Sequence, residues 1–173
     1  MPTSKSESSS WVFANIKTGI HQAITQLKHV PNVESITPVT GRFDLAIKLR
    51  TNDPETAFNA IERIREVEGI TATQTALSLQ QISNSEEEHQ QPIAFALMKV
   101  KGGLQETLRK LKTFPNFVEA HVIPGEFDIV AAFRGHNPKE VLENSFEKIG
   151  SMSGITASES LIAWNPTTHE NHP

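Results

Sequence analysis

Residues 31–44 read PNVESITPVTGRFD, and residues 115–128 read PNFVEAHVIPGEFD. Both stretches open with Pro-Asn and close with Gly-x-Phe-Asp at the same spacing. The likeness continues on either side, so that residues 11–79 align with residues 95–164, with one residue inserted late in the second copy. Chance rarely preserves the register of so many glycines and prolines, which indicates an internal duplication. A unit of about 70 residues is too long for a solenoid repeat and long enough for a small domain.

Hydrophobic periodicity switches in the same order within each copy. The elements predicted for the first copy are a strand at 11–17, a helix after Gly19, strands at 33–39 and 43–50, a helix between Asp53 and Gly69, and a strand at 70–79. Those predicted for the second are a strand at 93–101, a helix at 103–113, strands at 117–124 and 127–134, a helix at 138–150, and a strand at 155–164.

The order βαββαβ predicts an α+β fold made of two ferredoxin-like domains. A sheet of this kind carries its helices on one face only, so its other face needs cover. We therefore expect the two sheets to pack face to face, as in a dimeric α/β barrel.

Polar stretches mark the expected domain boundaries. Residues 1–10 are rich in serine and are expected to be disordered, and residues 165–173 are expected to form a flexible tail. Residues 80–92 are predicted to be a linker. The two domains are accordingly predicted at 11–79 and 93–164.

Composition excludes several classes of function. The chain has no cysteine, which excludes disulfides, thiolate metal sites and cysteine nucleophiles. The seven histidines are dispersed, and only His169 and His172 lie close together, so neither a metal site nor a cofactor is expected. The net charge of −4 and the scattered basic residues give no sign of direct nucleic-acid binding. No apolar run suits a membrane span or a signal peptide, so we expect a cytoplasmic protein.

The repeated motifs resemble the effector-binding domain of the Lrp/AsnC family, also called the regulation-of-amino-acid-metabolism domain. The resemblance rests on the stretches that end at Asp44 and Asp128, and on EGITATQTALSL (68–79) and SGITASESLIAW (153–164) in the last strands. It implies small-molecule sensing and oligomeric assembly. Family regulators carry an N-terminal helix-turn-helix, whereas residues 1–10 alone precede the first predicted strand, so the resemblance gives no support for direct DNA binding.

The Gly-x-Phe-Asp segments are the first candidate site. Gly41 and Gly125 would let the backbone approach a ligand, and Asp44 and Asp128 would hold an amino group. The residues alone favour a hairpin turn instead, with glycine at positive φ and aspartate as a capping residue, because both are ordinary turn residues. The resemblance brings the ligand role level with the turn role, because effector contacts in the family cluster at this turn. Pro124 occupies the position that Thr40 occupies in the first copy, so the two turns are not expected to be equivalent.

Rows of hydroxyl side chains in the last strands are the second candidate site. Thr73 and Thr75 continue a row from Thr71, and Ser158 and Ser160 repeat it. Such a row can receive a carboxylate through charge-assisted hydrogen bonds. Threonine is also a good strand former and suits an exposed face, whereas serine is a poor strand former.

The sequence thus favours a non-enzymatic protein that senses a small molecule, by resemblance an amino acid. It would assemble as a homo-oligomer and co-assemble with full-length Lrp/AsnC-type paralogues. One rival is an enzyme of the ferredoxin-like dimeric-barrel type, such as a small monooxygenase or a haem-handling protein, because fold does not fix function. The other is a ligand-free scaffold for the paralogues.

Overall fold

The computed structural model describes residues 7–17, 19–84 and 91–164. The chain divides into two compact units. The first holds the described residues up to Leu77 together with Trp164, and the second holds Ser78–Ala163. Each unit contains one copy of the repeat, apart from a few residues at the end of each copy.

The predicted strands and helices occur in the predicted order in both units, and the second unit begins with one additional strand. Those of the first unit are β1 (Ser8–Ile16), α1 (Ile20–Leu27), β2 (Val33–Thr40), β3 (Leu45–Thr51), α2 (Pro54–Arg65) and β4 (Ile70–Leu77). Those of the second are β5 (Gln80–Ser83), β6 (Ala94–Val100), α3 (Leu104–Lys112), β7 (Phe117–Val122), β8 (Ile129–Phe133), α4 (Pro138–Val141), a π-helical segment (Leu142–Phe146), α5 (Glu147–Gly150) and β9 (Ile155–Ala163).

In the first unit, four antiparallel strands carry both helices on one face. β1 pairs with β3 and β4, and β3 pairs with β2. The core on the helix face includes Val12 and Ile47 from the sheet, with Leu27 and Ile64 from the helices. α2 begins as predicted, because the Asp53 carboxylate accepts a hydrogen bond from the backbone N–H of Thr56 at 2.7 Å. The ferredoxin-like βαββαβ fold is confirmed.

The second unit repeats this sheet and adds a strand to it. β6 pairs with β8 and β9, and β7 pairs with β8 on one side and with β5 on the other. Side-chain amides of Gln80 and Gln105 exchange two hydrogen bonds, of 3.0 and 2.8 Å, which fasten β5 to α3. Ile82 packs against the core of the unit.

The residue inserted in the second copy is absorbed as a π-helical segment. In α2, the buried Ala57 and Ile64 are seven residues apart, which is about two α-helical turns. Their counterparts Val141 and Ile149 are separated by one residue more, yet both are buried. Widening the helix over Leu142–Phe146 keeps both side chains on the core face.

Two strands of the structure extend past the predicted domain boundaries. β1 begins at Ser8 rather than Trp11, and Ser9 and Ser10 are buried. The predicted linker at 80–92 begins with β5. The physical reason is the same in both places, because ladder hydrogen bonds are made by the main chain, whatever the polarity of the side chains.

The remaining predictions about boundaries concern other residues. Residues 1–6, 85–90 and 165–173, which include most of the expected disordered start, part of the linker and the tail, lie outside the described residues. The face-to-face packing of the two sheets stays a prediction.

Candidate functional site

The two Gly-x-Phe-Asp segments form the turns between β2 and β3 and between β7 and β8. Gly41 has φ of +130° and Gly125 has φ of +125°, a region that side-chain-bearing residues rarely adopt. Phe43 and Phe127 are buried and anchor the turns to the units. The glycines thus have the conformational role that a turn requires, and the aspartate that follows each phenylalanine is held in place.

Each aspartate accepts a hydrogen bond from a neighbouring strand, beside a β-bulge. Asp44 Oδ2 accepts a hydrogen bond from the backbone N–H of Ile16, and Asp128 Oδ2 accepts one from the N–H of Val100, both at 2.8 Å. These amides lie where the register of β1 with β4, and of β6 with β9, shifts by one residue. The aspartates therefore have a structural role, but on a different strand from the hairpin turn that the sequence suggested.

The two oxygens of each carboxylate differ in their hydrogen bonding. Within the described residues, Oδ1 of Asp44 and Oδ1 of Asp128 make no hydrogen bond. Asp44 and Gly41 line a cavity of about 500 Å³ in the first unit, and Lys17 and Thr40 line it with them. Gly19 and several apolar side chains, Trp164 among them, form the rest of the wall. The geometry thus combines a carboxylate with an unused acceptor and an apolar wall in a cavity of small-molecule size.

The predicted hydroxyl row of the first unit lies at a different cavity. Thr73 and Thr75 lie opposite Ala14 and Val12 of β1, on the face of the sheet that carries the helices. They line a cleft of about 540 Å³ between β4 and α2, together with Arg65. The described part of the first unit therefore does not bring these threonines into the cavity of Gly41 and Asp44.

The second hydroxyl row is exposed along β9. Ser158 and Ser160 lie opposite Met98 and Ala96 of β6, and both are exposed. The hydroxyl of Thr156, which precedes them in the row, donates to the carbonyl of Lys99 at 3.4 Å. These serines are therefore open to solvent, as both the ligand role and the exposed-face role require.

A buried polar cluster in the second unit was not predicted from the sequence. His121 is completely buried in β7. Its Nδ1 lies 2.7 Å from Ser78 Oγ, and its Nε2 lies 2.6 Å from Glu119 Oε1. A strand histidine two residues from a glutamate was the available signal, because side chains two apart share one face of a strand. Ser78 gave no signal, since it joins the cluster only through the pairing of the β5 segment with β7.

Two further findings bear on the kind of site. In the part of the chain that the structure describes, no three His, Asp or Glu side chains gather in a group that could hold a metal ion. His169 and His172 lie outside that part. No helix among the described residues is long and apolar enough to cross a membrane.

Known proteins resemble the chain in sequence and in structure. The HTH-type transcriptional regulator FL11 of Pyrococcus furiosus is 32% identical over 108 residues, which cover 62% of this chain and 67% of that protein. Its counterpart in Pyrococcus horikoshii is 35% identical over 71 residues, or 40% of this chain and 46% of that protein. The chain thus spans about half to two thirds of these curated relatives.

Among solved structures, the siroheme decarboxylase NirDL in co-complex with an iron-uroporphyrin III analogue matches 92% of this chain and 72% of its own, with a TM-score of 0.64. The identity is 13%, so this likeness shows a shared fold and no more.

The family described as the Lrp/AsnC ligand binding domain matches the chain twice, at residues 12–87 and at residues 93–171. The two matches coincide with the two copies of the repeat and together cover most of the sequence. The chain therefore belongs to the Lrp/AsnC ligand-binding domain family and carries that domain in tandem.

Proposed function

We propose that the protein senses an amino acid, bound without chemical change at the Gly41–Asp44 turn, and that it works as an oligomer. The observation that carries the proposal is the carboxylate of Asp44. In a chain of a ligand-binding family, this group lines a cavity and keeps Oδ1 outside any hydrogen bond among the described residues.

An ammonium group suits that oxygen. A carboxylate with one oxygen held by the N–H of Ile16 cannot rotate freely, so its second oxygen is already positioned for a donor. A charge-assisted hydrogen bond from an ammonium is about twice as strong as a neutral one. Lys17 lines the same cavity and would attract the carboxylate of a zwitterion. Gly125 and Asp128 have the same backbone geometry, and we propose a second, weaker site there, because Pro124 replaces Thr40.

Thr73 and Thr75, with Ser158 and Ser160 in the second copy, are proposed to contact a ligand or a neighbouring chain in the assembly. Their hydroxyls make no hydrogen bond among the described residues. The cleft that Thr73 and Thr75 share with Arg65 would accept a carboxylate.

The contacts of His121 favour binding over catalysis. The haem-handling rival requires a histidine nitrogen that is available to a ligand, and His121 is a histidine that lies on a strand, in β7. Both of its ring nitrogens are within hydrogen-bond distance of Ser78 and Glu119, and the ring is completely buried. A histidine held in this way contributes to the packing of the strand. Co-assembly with full-length Lrp/AsnC-type paralogues is the route by which we propose that sensing would reach DNA.

The experiment is a thermal-shift screen of the twenty amino acids on the full chain, followed by calorimetry of each hit on Asp44→Asn and Asp128→Asn. Asparagine keeps an acceptor for the Ile16 N–H but replaces the second oxygen by an NH₂ donor, which repels an ammonium. Asp44→Asn should lose about 1.5–3 kcal/mol of binding free energy. Asp128→Asn serves as the matched variant and should lose less.

Equal affinity of a hit for wild type and for both variants would show that the aspartates have only a structural role. Native mass spectrometry and the absorbance spectrum of the purified protein separate the rivals. A retained amino acid supports the sensor, whereas a haem absorbance band would support the enzyme and overturn the proposal.

A further inference from the structure

Trp164 contributes to the cavity of the first copy from the far end of the sequence. It belongs to the first unit, although it follows directly on β9. Its backbone N–H donates to the carbonyl of Pro38 at 3.0 Å, and its indole Nε1 donates to the carbonyl of Val39 at 3.3 Å. Two hydrogen bonds to successive residues of β2 fix both the main chain and the ring, so the indole is a fixed wall of the cavity.

Comparison of the two copies shows that the residue aligned with Trp164 has different surroundings. Trp164 aligns with Leu79 of the first copy. Leu79 is 68% exposed and donates its backbone N–H to Val122, whereas Trp164 is 37% exposed and lines the cavity beside Asp44. Equivalent positions in the two copies thus have different surroundings, and the larger, more buried residue is the one at the candidate site.

The cavity has one polar and one apolar part. Asp44 and Lys17 supply opposite charges. Ile16, Ile20, Val39 and Trp164 supply an apolar surface. A ligand that matches both parts has an ammonium and a carboxylate at one end and a hydrocarbon or aromatic group at the other.

We infer that Trp164 is a specificity-determining residue, which selects an α-amino acid with an apolar side chain by packing against that side chain. The inference rests on the proposed function, since it names the ligand class of the same cavity. Transfer of an apolar side chain from water to such a wall is favourable roughly in proportion to the area buried. A polar side chain would lose its hydration there without gaining a hydrogen bond, because the indole N–H already donates to Val39.

The test measures the affinities of the full chain for leucine, methionine, phenylalanine, asparagine and glycine by calorimetry. Glycine has the same zwitterion and no side chain, so the ratio of each affinity to that of glycine isolates the side-chain contact. The best apolar amino acid should bind about 10- to 100-fold more tightly than glycine. Trp164→Ala should bring this ratio close to one and leave the affinity for glycine within about twofold. The matched control is Leu79→Ala, which truncates the aligned residue and should leave every affinity unchanged.

A second measurement uses the wild-type chain, so it does not depend on whether a variant folds. Trp11 is fully buried, and iodide therefore quenches chiefly the fluorescence of Trp164. Saturation with the best apolar amino acid should protect Trp164 from iodide, and glycine should protect it much less.

The possible results distinguish a failure of the role of Trp164 from a failure of the sensing function. If an amino acid binds through Asp44 but the ratio survives in Trp164→Ala, or iodide quenching does not change, the role of Trp164 is wrong and the sensing function stands. Tighter binding of asparagine than of all three apolar amino acids overturns the role of Trp164 in the same way. Absence of binding by every amino acid overturns the proposed function and the inference together.

Discussion

A single carboxylate oxygen links two strands in each copy of the repeat. Asp44 Oδ2 accepts the N–H of Ile16, and Asp128 Oδ2 accepts the N–H of Val100. The N–H of Ile16 lies beyond the last pair of β1 with β3, and the N–H of Val100 lies beyond the last pair of β6 with β8. An amide left unpaired in a folded protein costs free energy. The presence of the aspartate in both copies therefore has a structural explanation, independent of any ligand.

This explanation predicts the effect of removing the carboxylate on stability. Asp44→Ala should lower the free energy of unfolding by about 1–3 kcal/mol, because the N–H of Ile16 loses its acceptor. Asp44→Asn keeps an acceptor and should stay within about 0.5 kcal/mol of wild type. Chemical denaturation of the two variants in the absence of ligand measures both values. Equal stability of the alanine and asparagine variants would mean that this hydrogen bond does not stabilise the fold.

Sequence patterns predicted the turn but not the partner of the aspartate. Gly41 and Asp44 are typical turn residues, and their local roles follow from their types. Ile16 lies 28 residues from Asp44, and neither residue indicates the other. The cavity shared with Trp164 was likewise not predictable, because no local pattern joins residue 164 to β2. Thr73 and Thr75 were predicted correctly as a row on one face, yet they line a different cavity within the first unit.

At the scale of elements, the last helix of the second copy shows how the fold accepts an inserted residue. A regular α-helix would turn by about 100° more for each additional residue, which would move Ile149 off the core face. The π-helical segment at Leu142–Phe146 prevents this, and Ser145 within it donates to Asn116 Oδ1 at 3.4 Å. The sequence alignment located the insertion in this helix, but not the local geometry that accommodates it.

Deletion of Asn144 should convert this helix into a regular one. The deletion restores the spacing of α2 between Val141 and Ile149, and it places Ser145 at the position of the buried Ala60. We expect a folded protein, with a free energy of unfolding within about 1 kcal/mol of wild type, because the core contacts are kept.

The matched control is deletion of Asn59 from α2, the helix that lacks the inserted residue. That deletion would rotate Ile64 away from the core, and we expect a loss of more than about 3 kcal/mol or no folded protein. Circular dichroism with urea denaturation separates the two variants. Comparable losses in both would contradict the explanation of the π-helical segment.

At the scale of the whole molecule, both copies expose a large apolar side chain at the same helix position. Phe58 of α2 is 60% exposed and aligns with Leu142, which is 41% exposed. An exposed apolar residue needs no explanation by itself. Its recurrence at an aligned position, in copies that differ at most others, favours a role in assembly.

We therefore predict that the chain forms a homo-oligomer through the outer surfaces of these helices. Light scattering at micromolar concentration should give a mass above the 19.1 kDa of one chain. Phe58→Asp combined with Leu142→Asp should lower that mass, because a charge in an apolar interface is costly to desolvate. Leu79→Asp alters an exposed leucine outside the helices and should leave the mass unchanged. A mass near 19.1 kDa for the wild type would contradict the prediction.

The π-helical segment also bears on how the two halves of the chain can diverge. In a dimer of identical chains, one inserted codon would widen both helices at once, and both would have to tolerate it. In the tandem chain it widens one helix, and α2 keeps its regular turns. Selection can therefore act on each half separately. One half can specialise in binding the ligand while the other keeps only a structural role.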